Sequence, residues 1–197
     1  MHNNLTLYIK VFFQFIFYLI GTFLHEFAHW TFAKLTFSET PSRATIEEED
    51  ENGNKIKIEV AGFTIIPKIK KDYVVYGHVL SIPKVNASLI LISAAPLLWL
   101  VALYYLLFIY GYLEFLVQDG EIYFSLNYKE LFTFNNWLII YISLQLLWAG
   151  TLSSQDVKMF FKGVFSPSFI IALFLFLSIY DFNNNFVILE YIKGLLS

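Results

Sequence analysis

The sequence predicts an α-helical membrane protein of about four transmembrane helices with a small β element between the first two, on three observations. Of the 197 residues, 57% are hydrophobic and 20% aromatic, while only 15% are charged; soluble domains carry about 25% charge. Apolar runs of spanning length recur along the chain. Polar stretches with turn residues separate them. The expected organisation is a single integral membrane domain over 1–197. The same composition excludes other classes. A net charge of -3 with no basic face argues against a nucleic-acid partner. The absence of cysteine removes disulfides and thiolate ligands, so a metal would have to be held by His, Asp or Glu.

The first expected span is 11–35, long enough at about 1.5 Å per residue to cross a hydrocarbon core of about 30 Å. Lys10 ahead of an apolar run suggests a secretory signal, but the run is too long and lacks a small-residue cleavage site, so a retained helix is expected. Residues 40–83 then change character. An acidic run, Glu47-Glu48-Glu49-Asp50-Glu51, is followed by Asn52-Gly53 and the alternating Lys55-Ile56-Lys57-Ile58-Glu59-Val60. Alternation beside an Asn-Gly turn predicts a hairpin. Further β-like runs cover 63–69 and 73–80.

Residues 86–112 are the second expected span, with a kink at Ser93-Ala94-Ala95-Pro96, where proline removes a backbone donor and small residues allow close packing. The stretch 114–136, with its Asp119-Gly120 turn and aromatics, is expected as an interfacial loop. The third span, 137–152, is short and ends in the polar run Gly150-Thr151-Leu152-Ser153-Ser154-Gln155-Asp156. The fourth, 164–180, has Pro167 near its start, where proline is tolerated. Residues 186–196 are too short to span and are expected to return to the interface or pack on the bundle. There is no internal repeat and no low-complexity linker.

Counting basic residues orients the chain. Lys34 at the end of the first span and the stretch after it together carry eight Lys or Arg, and the stretch after the third carries Lys158 and Lys162, against Lys10, Lys129 and Lys193 on the other side. Ten against three places the β element and the third-to-fourth loop in the cytoplasm.

One motif carries chemistry. His25-Glu26-Phe27-Ala28-His29 is an H-E-x-x-H pattern inside the first apolar run. Two histidines four apart share one helix face, so both rings can reach one metal ion, and the glutamate can hold a water. With 4 His and 11 Glu in the chain, a shuffled sequence would hold the pattern about 0.4% of the time, so chance is a weak account. Ionisable groups are also expensive at membrane depth unless paired or metal-bound. Catalytic zinc keeps three protein ligands and one open position. Candidates for the third are Asp156, His78, Asp119, Glu121 and Asp181. The orientation puts Asp119, Glu121 and Asp181 at the opposite face. His78 sits in the β-like run Tyr76-Gly77-His78-Val79-Leu80, where a hydrogen-bonded histidine is the simpler reading. Asp156, at the cytoplasmic end of the third span, is the best candidate, against a plain helix-capping role. Glu26 is then expected as the general base, taking a proton from zinc-bound water and passing it to the leaving amine. Ser153, Ser154 and Gln155 are expected either to line a water path or orient the aspartate, or simply to face solvent.

In these residues the chain resembles the site-two protease family of intramembrane zinc metalloproteases: His25-Glu26-Phe27-Ala28-His29 in the first helix, Pro96 in a middle helix and Asp156 at the end of a later one. The resemblance implies one Zn2+ held by His25, His29 and Asp156, with Glu26 as catalytic base. Where the family commonly carries Leu-Asp-Gly, this chain departs with Gln155-Asp156-Val157, and its Ser153-Ser154-Gln155-Asp156 stretch looks more like the compact, divergent members.

The expected activity is therefore hydrolysis of peptide bonds in membrane-embedded or membrane-adjacent protein substrates, by a multi-pass protein of the cell membrane whose site faces the cytoplasm. An exposed edge of the β element is a candidate for pairing with an extended substrate strand. The alternatives are an inactive metal-binding membrane scaffold, which would not need Glu26, and a transport protein, whose ionisable residues would be spread along a path rather than clustered.

Overall fold

The computed structural model describes residues 2–49, 55–69, 74–118, 121–133 and 136–183. Within them the chain is mostly helical with small antiparallel strand pairs. The expected Asn52-Gly53 and Asp119-Gly120 turns and the 186–196 segment lie outside the described residues.

The first apolar run is two helices rather than one. Helix α1 covers His2–Phe17 and α2 covers Leu19–Leu35, bent by 70° at Tyr18. No proline lies at the bend, and Gly21, just past it, lets the Gln145 backbone approach closely: a Cβ there would stand 2.8 Å from the Gln145 carbonyl oxygen. In a straight helix the Gly21 N–H would donate to the Phe17 carbonyl four residues back. Here it donates instead to Gln145 Oε1 at 2.8 Å, while Gln145 Nε2 donates to the Phe17 carbonyl at 2.7 Å. A side-chain amide inserted into the backbone ladder is a recognised cause of kinks. Gln145 is fully buried, and both ends of its amide are satisfied by this bridge.

After α2, strands β1 (Arg43–Glu49) and β2 (Lys55–Ala61) form the hairpin that the alternation predicts, in register from Arg43 opposite Ala61 to Glu49 opposite Lys55. A second, irregular hairpin follows. Strands β3 (Phe63–Thr64) and β6 (His78–Val79) pair, as do β4 (Lys68–Ile69) and β5 (Val74–Val75). Between these pairs three residues, 65–67, oppose only two, Tyr76 and Gly77. Pro67 lacks the N–H a continuous ladder would need there, so the pairing breaks as a bulge. An isolated bridge between Glu39 and Ile82 closes the base of the element.

Helices α3 (Ser88–Ala94) and α4 (Leu98–Ile109) are joined by a 3-10 turn at Ala95–Leu97 that contains Pro96, the site expected for a kink. Together, Ser88–Ile109 is one apolar stretch of 22 residues, long enough to cross a membrane. The segment expected as an interfacial loop is instead a hairpin of β7 (Leu113–Gln118) and β8 (Glu121–Leu126), followed by the short α5 (Tyr128–Leu131). Its sequence, Leu113-Glu114-Phe115-Leu116-Val117-Gln118, does not alternate over a strand's length, and pairing of six residues on each strand decided it.

Helix α6 covers Trp137–Gly150, and after a 47° turn through residues 151–153 it is followed by α7, Ser154–Val164, where a loop was expected. Helix α8, Pro167–Asn183, has an apolar part, Pro167–Tyr180, shorter than a full span. The described residues thus hold one spanning helix, or up to three spans if each bent pair counts as one, against about four expected. Helix α2 packs on α6, α6 on α4, and α3 on α7. These pairings set α2, α3 and the start of α7 around one point.

Candidate metal centre

Helix α2 presents His25 and His29 on successive turns of one face, their ring centroids 4.7 Å apart. Each ring is fixed by a neighbouring helix. His25 Nδ1 lies 3.0 Å from the Ala149 carbonyl at the end of α6, and His29 Nδ1 lies 2.7 Å from the Ile92 carbonyl of α3. A carbonyl oxygen only accepts, so each Nδ1 carries the proton and donates it. Both Nε2 atoms are then left with lone pairs, and they face one another at 3.1 Å.

The third member is Asp156. Its Oδ1 lies 3.1 Å from His29 Nε2 and its Oδ2 3.5 Å from His25 Nε2. The aspartate is buried at 7% exposure and sits in the first turn of α7. Its capping role is also present: the Ser153 N–H donates to Asp156 Oδ2 at 2.7 Å, and the Asp156 N–H donates to Ser153 Oγ at 3.1 Å. The reciprocal cap therefore orients the carboxylate that faces the histidines, and the two readings of Asp156 hold together.

The donor set fits a divalent metal. Three ligand atoms lie within 4.8 Å of one another, and all three are acceptors. Without a cation or an added proton between them, such a cluster is repulsive. Nitrogens bound at about 2.0–2.1 Å in tetrahedral geometry stand about 3.3 Å apart. The observed 3.1 Å between the two Nε2 atoms is close to that spacing. The backbone carbonyls on both Nδ1 atoms are the outer partners that metal-bound histidines usually have. A tetrahedral ion held by one nitrogen from each ring and the carboxylate would keep a fourth position open, and the group borders a cavity.

The cavity has a volume of about 400 Å³ and is bounded by α2, the 74–79 segment, Ile92, Ser93, Trp148 and residues 151–156. Glu26 lines it at 6% exposure, and its carboxylate accepts no hydrogen bond from the described residues. The β bulge covers it: a Cβ on Gly77 would lie 2.8 Å from Glu26 Oε1. Tyr76 holds this strap in place. Its hydroxyl donates to Gln14 Oε1 at 2.6 Å on α1, and its ring meets Trp148 edge-on at 5.8 Å. Burial pushes the Tyr76 phenol above its ordinary pKa.

Of the other ligand candidates, His78 lines the cavity but is not part of the three-ligand group. Its Nε2–H donates to the Ala61 carbonyl at 2.9 Å within the β element. Asp119, and the side chains of Glu121 and Asp181, lie outside what the structure describes. Ser154 and Gln155 line the cavity as exposed residues, and Ser153 both lines it and caps α7. The Ala149 and Ile92 carbonyls and Gly77, whose roles no local pattern signals, complete the site. Gln145 lies apart from the cavity lining at the bend between α1 and α2, and an amide in an apolar helix is a visible signal.

No protein-family model, curated protein or solved structure matches this chain.

Proposed function

We propose that the chain is an intramembrane zinc endopeptidase of the site-two protease kind, with four membrane spans and its site toward the cytoplasmic face. Its substrates would be membrane-embedded or membrane-adjacent proteins. The observation that carries this reading is the convergence of three acceptor atoms, from His25, His29 and Asp156, beside a buried glutamate that faces a cavity.

His25, His29 and Asp156 would hold the ion. When bound, Zn2+ acidifies water at the site and polarises a carbonyl oxygen. Glu26 would accept at its carboxylate a proton from the water whose oxygen adds to the peptide carbonyl carbon, and would deliver that proton to the amine released as the C–N bond breaks. Ala149 and Ile92 keep both rings in the Nδ1–H form throughout, and Ser153 keeps the Asp156 carboxylate turned inward. Thr151, Ser153, Ser154 and Gln155 are exposed and line the cavity, a polar edge through which water would enter. A purely structural metal site has no use for Glu26, which favours the enzyme over a metal-binding scaffold.

The test is to purify the chain in detergent, measure zinc by elemental analysis and assay cleavage of single-span substrates. Stoichiometric zinc with cleavage abolished in Glu26→Gln is expected. A wild-type protein without metal, or cleavage that survives Glu26→Gln, overturns the proposal.

A further inference from the structure

Helix α7 has a division of residues that the metal site does not explain. Asp156 and Gly163 face inward, where α7 packs on α3. The outward side carries two adjoining stripes. Val157, Phe161 and Phe165 form an apolar one at 40%, 51% and 72% exposure, and the exposed Lys158 and Lys162 form a basic one beside it. Each stripe repeats at a spacing of four residues, so each runs along the helix rather than around it. The chain leading into α3 brings a third exposed cation to the same end: the Asn86 carbonyl would lie 3.3 Å from a Cβ on Gly163, and Lys84 is two residues earlier. None of the three lysines forms an ion pair with a described residue. Asp156 is the only acidic residue of α7, and it is buried.

An apolar stripe bordered by cations suits neither hydrocarbon alone nor water alone. It suits the boundary between them, where aromatic and aliphatic side chains enter the acyl region and lysines meet phosphate. We infer that α7 lies in the headgroup layer and binds anionic phospholipid through Lys158, Lys162 and Lys84, with Phe161 and Phe165 inserted below. The apolar α8 follows directly, beginning at Pro167, and carries the chain on from that boundary. Because Asp156 is in the first turn of α7, anionic lipid that seats α7 also steadies the carboxylate opposite His25 and His29. This last consequence rests on the metal centre proposed above; the lipid surface does not.

The full chain is reconstituted in nanodiscs of phosphatidylcholine with and without phosphatidylglycerol, and three things are read: lipid retained in native mass spectrometry, the thermal unfolding midpoint, and the rate of zinc loss to a chelator. Wild type is compared with Lys158→Gln/Lys162→Gln and with Lys55→Gln/Lys57→Gln, which removes the same charge from strand β2. Expected are retained phosphatidylglycerol, a midpoint raised by several degrees and slower zinc loss in the wild type and the β2 variant, all lost in the α7 variant. Equal midpoints and equal lipid retention with and without phosphatidylglycerol overturn the inference. So does an undiminished response in the α7 variant, or the same stabilisation from inorganic phosphate in detergent. If no zinc binds, the lipid and midpoint readings still decide the lipid surface, while the metal proposal fails separately.

Discussion

Gly77 and Glu26 are in contact: a Cβ at Gly77 would stand 2.8 Å from Glu26 Oε1 and 2.9 Å from its Cγ, with the Thr64 carbonyl behind it at 3.0 Å. The strap has no room to retreat toward β3, so an added methyl must displace the glutamate. Gly77→Ala is therefore expected to lower cleavage by about tenfold or more, in the range typical of a misplaced general base, while zinc stoichiometry stays at the wild-type value. Activity assays paired with elemental analysis check this. Wild-type cleavage in the variant would show that the strap does not set the position of Glu26.

Ser153 is expected to matter to the metal without touching it. Ser153→Ala keeps the backbone N–H that donates to the Asp156 carboxylate but removes the hydroxyl that accepts from the Asp156 N–H, a change worth about 1 kcal/mol in helix stability, and so loosens the first turn of α7 that carries Asp156. Outer-sphere losses of this kind cost about 10-fold to 100-fold in metal affinity. Chelator competition should show weakened zinc binding in Ser153→Ala and little change in Ser154→Ala, whose side chain is exposed.

Gln145→Leu should relax the bend between α1 and α2. The substitution frees the Gly21 N–H and the Phe17 carbonyl to bond each other in a straight helix. Spin labels near the ends of α1 and α2 should report a longer separation in the variant. Loss of the bridge is expected to lower stability by about 2 kcal/mol, the scale for buried polar groups that lose their partners. An unchanged distance would assign the bend to another cause.

Removing the metal should destabilise the fold as well as the activity. A ligand that binds only the native state at about a thousand times its Kd adds about 4 kcal/mol. Chelation is thus expected to lower the unfolding midpoint of the wild type and of Glu26→Gln, and to leave that of His25→Ala nearly unchanged. A wild-type midpoint insensitive to chelator would argue that protons, rather than a metal, hold the three acceptors together.

The features legible in the sequence are those that repeat locally. The spacing of His25 and His29 put both on one helical face, the alternation from Lys55 to Val60 gave a strand, and Pro96 marked a break between two helices. Where local pattern was weak or contradicted by packing, the reading missed. Residues 11–35 read as one continuous helical run of spanning length, and no proline in it marks the bend at Tyr18. The cause is an amide on α6, far along the chain. The amphipathic run from Ser154 to Val164 was short and bracketed by polar residues, and its helix depends on the Ser153 cap and on packing against α3.

By itself, the sequence determined a mostly apolar chain with no thiolate ligands and an H-E-x-x-H helix, because composition and a four-residue spacing need no partner elsewhere. Only the tertiary structure decided that Asp156 lies within ligand distance of both histidines, that Ala149 and Ile92 fix their tautomers, and that Gly77 closes over Glu26. Each of these joins groups on different elements, and their meeting is set by which helix faces pack together, an outcome that local periodicity leaves open.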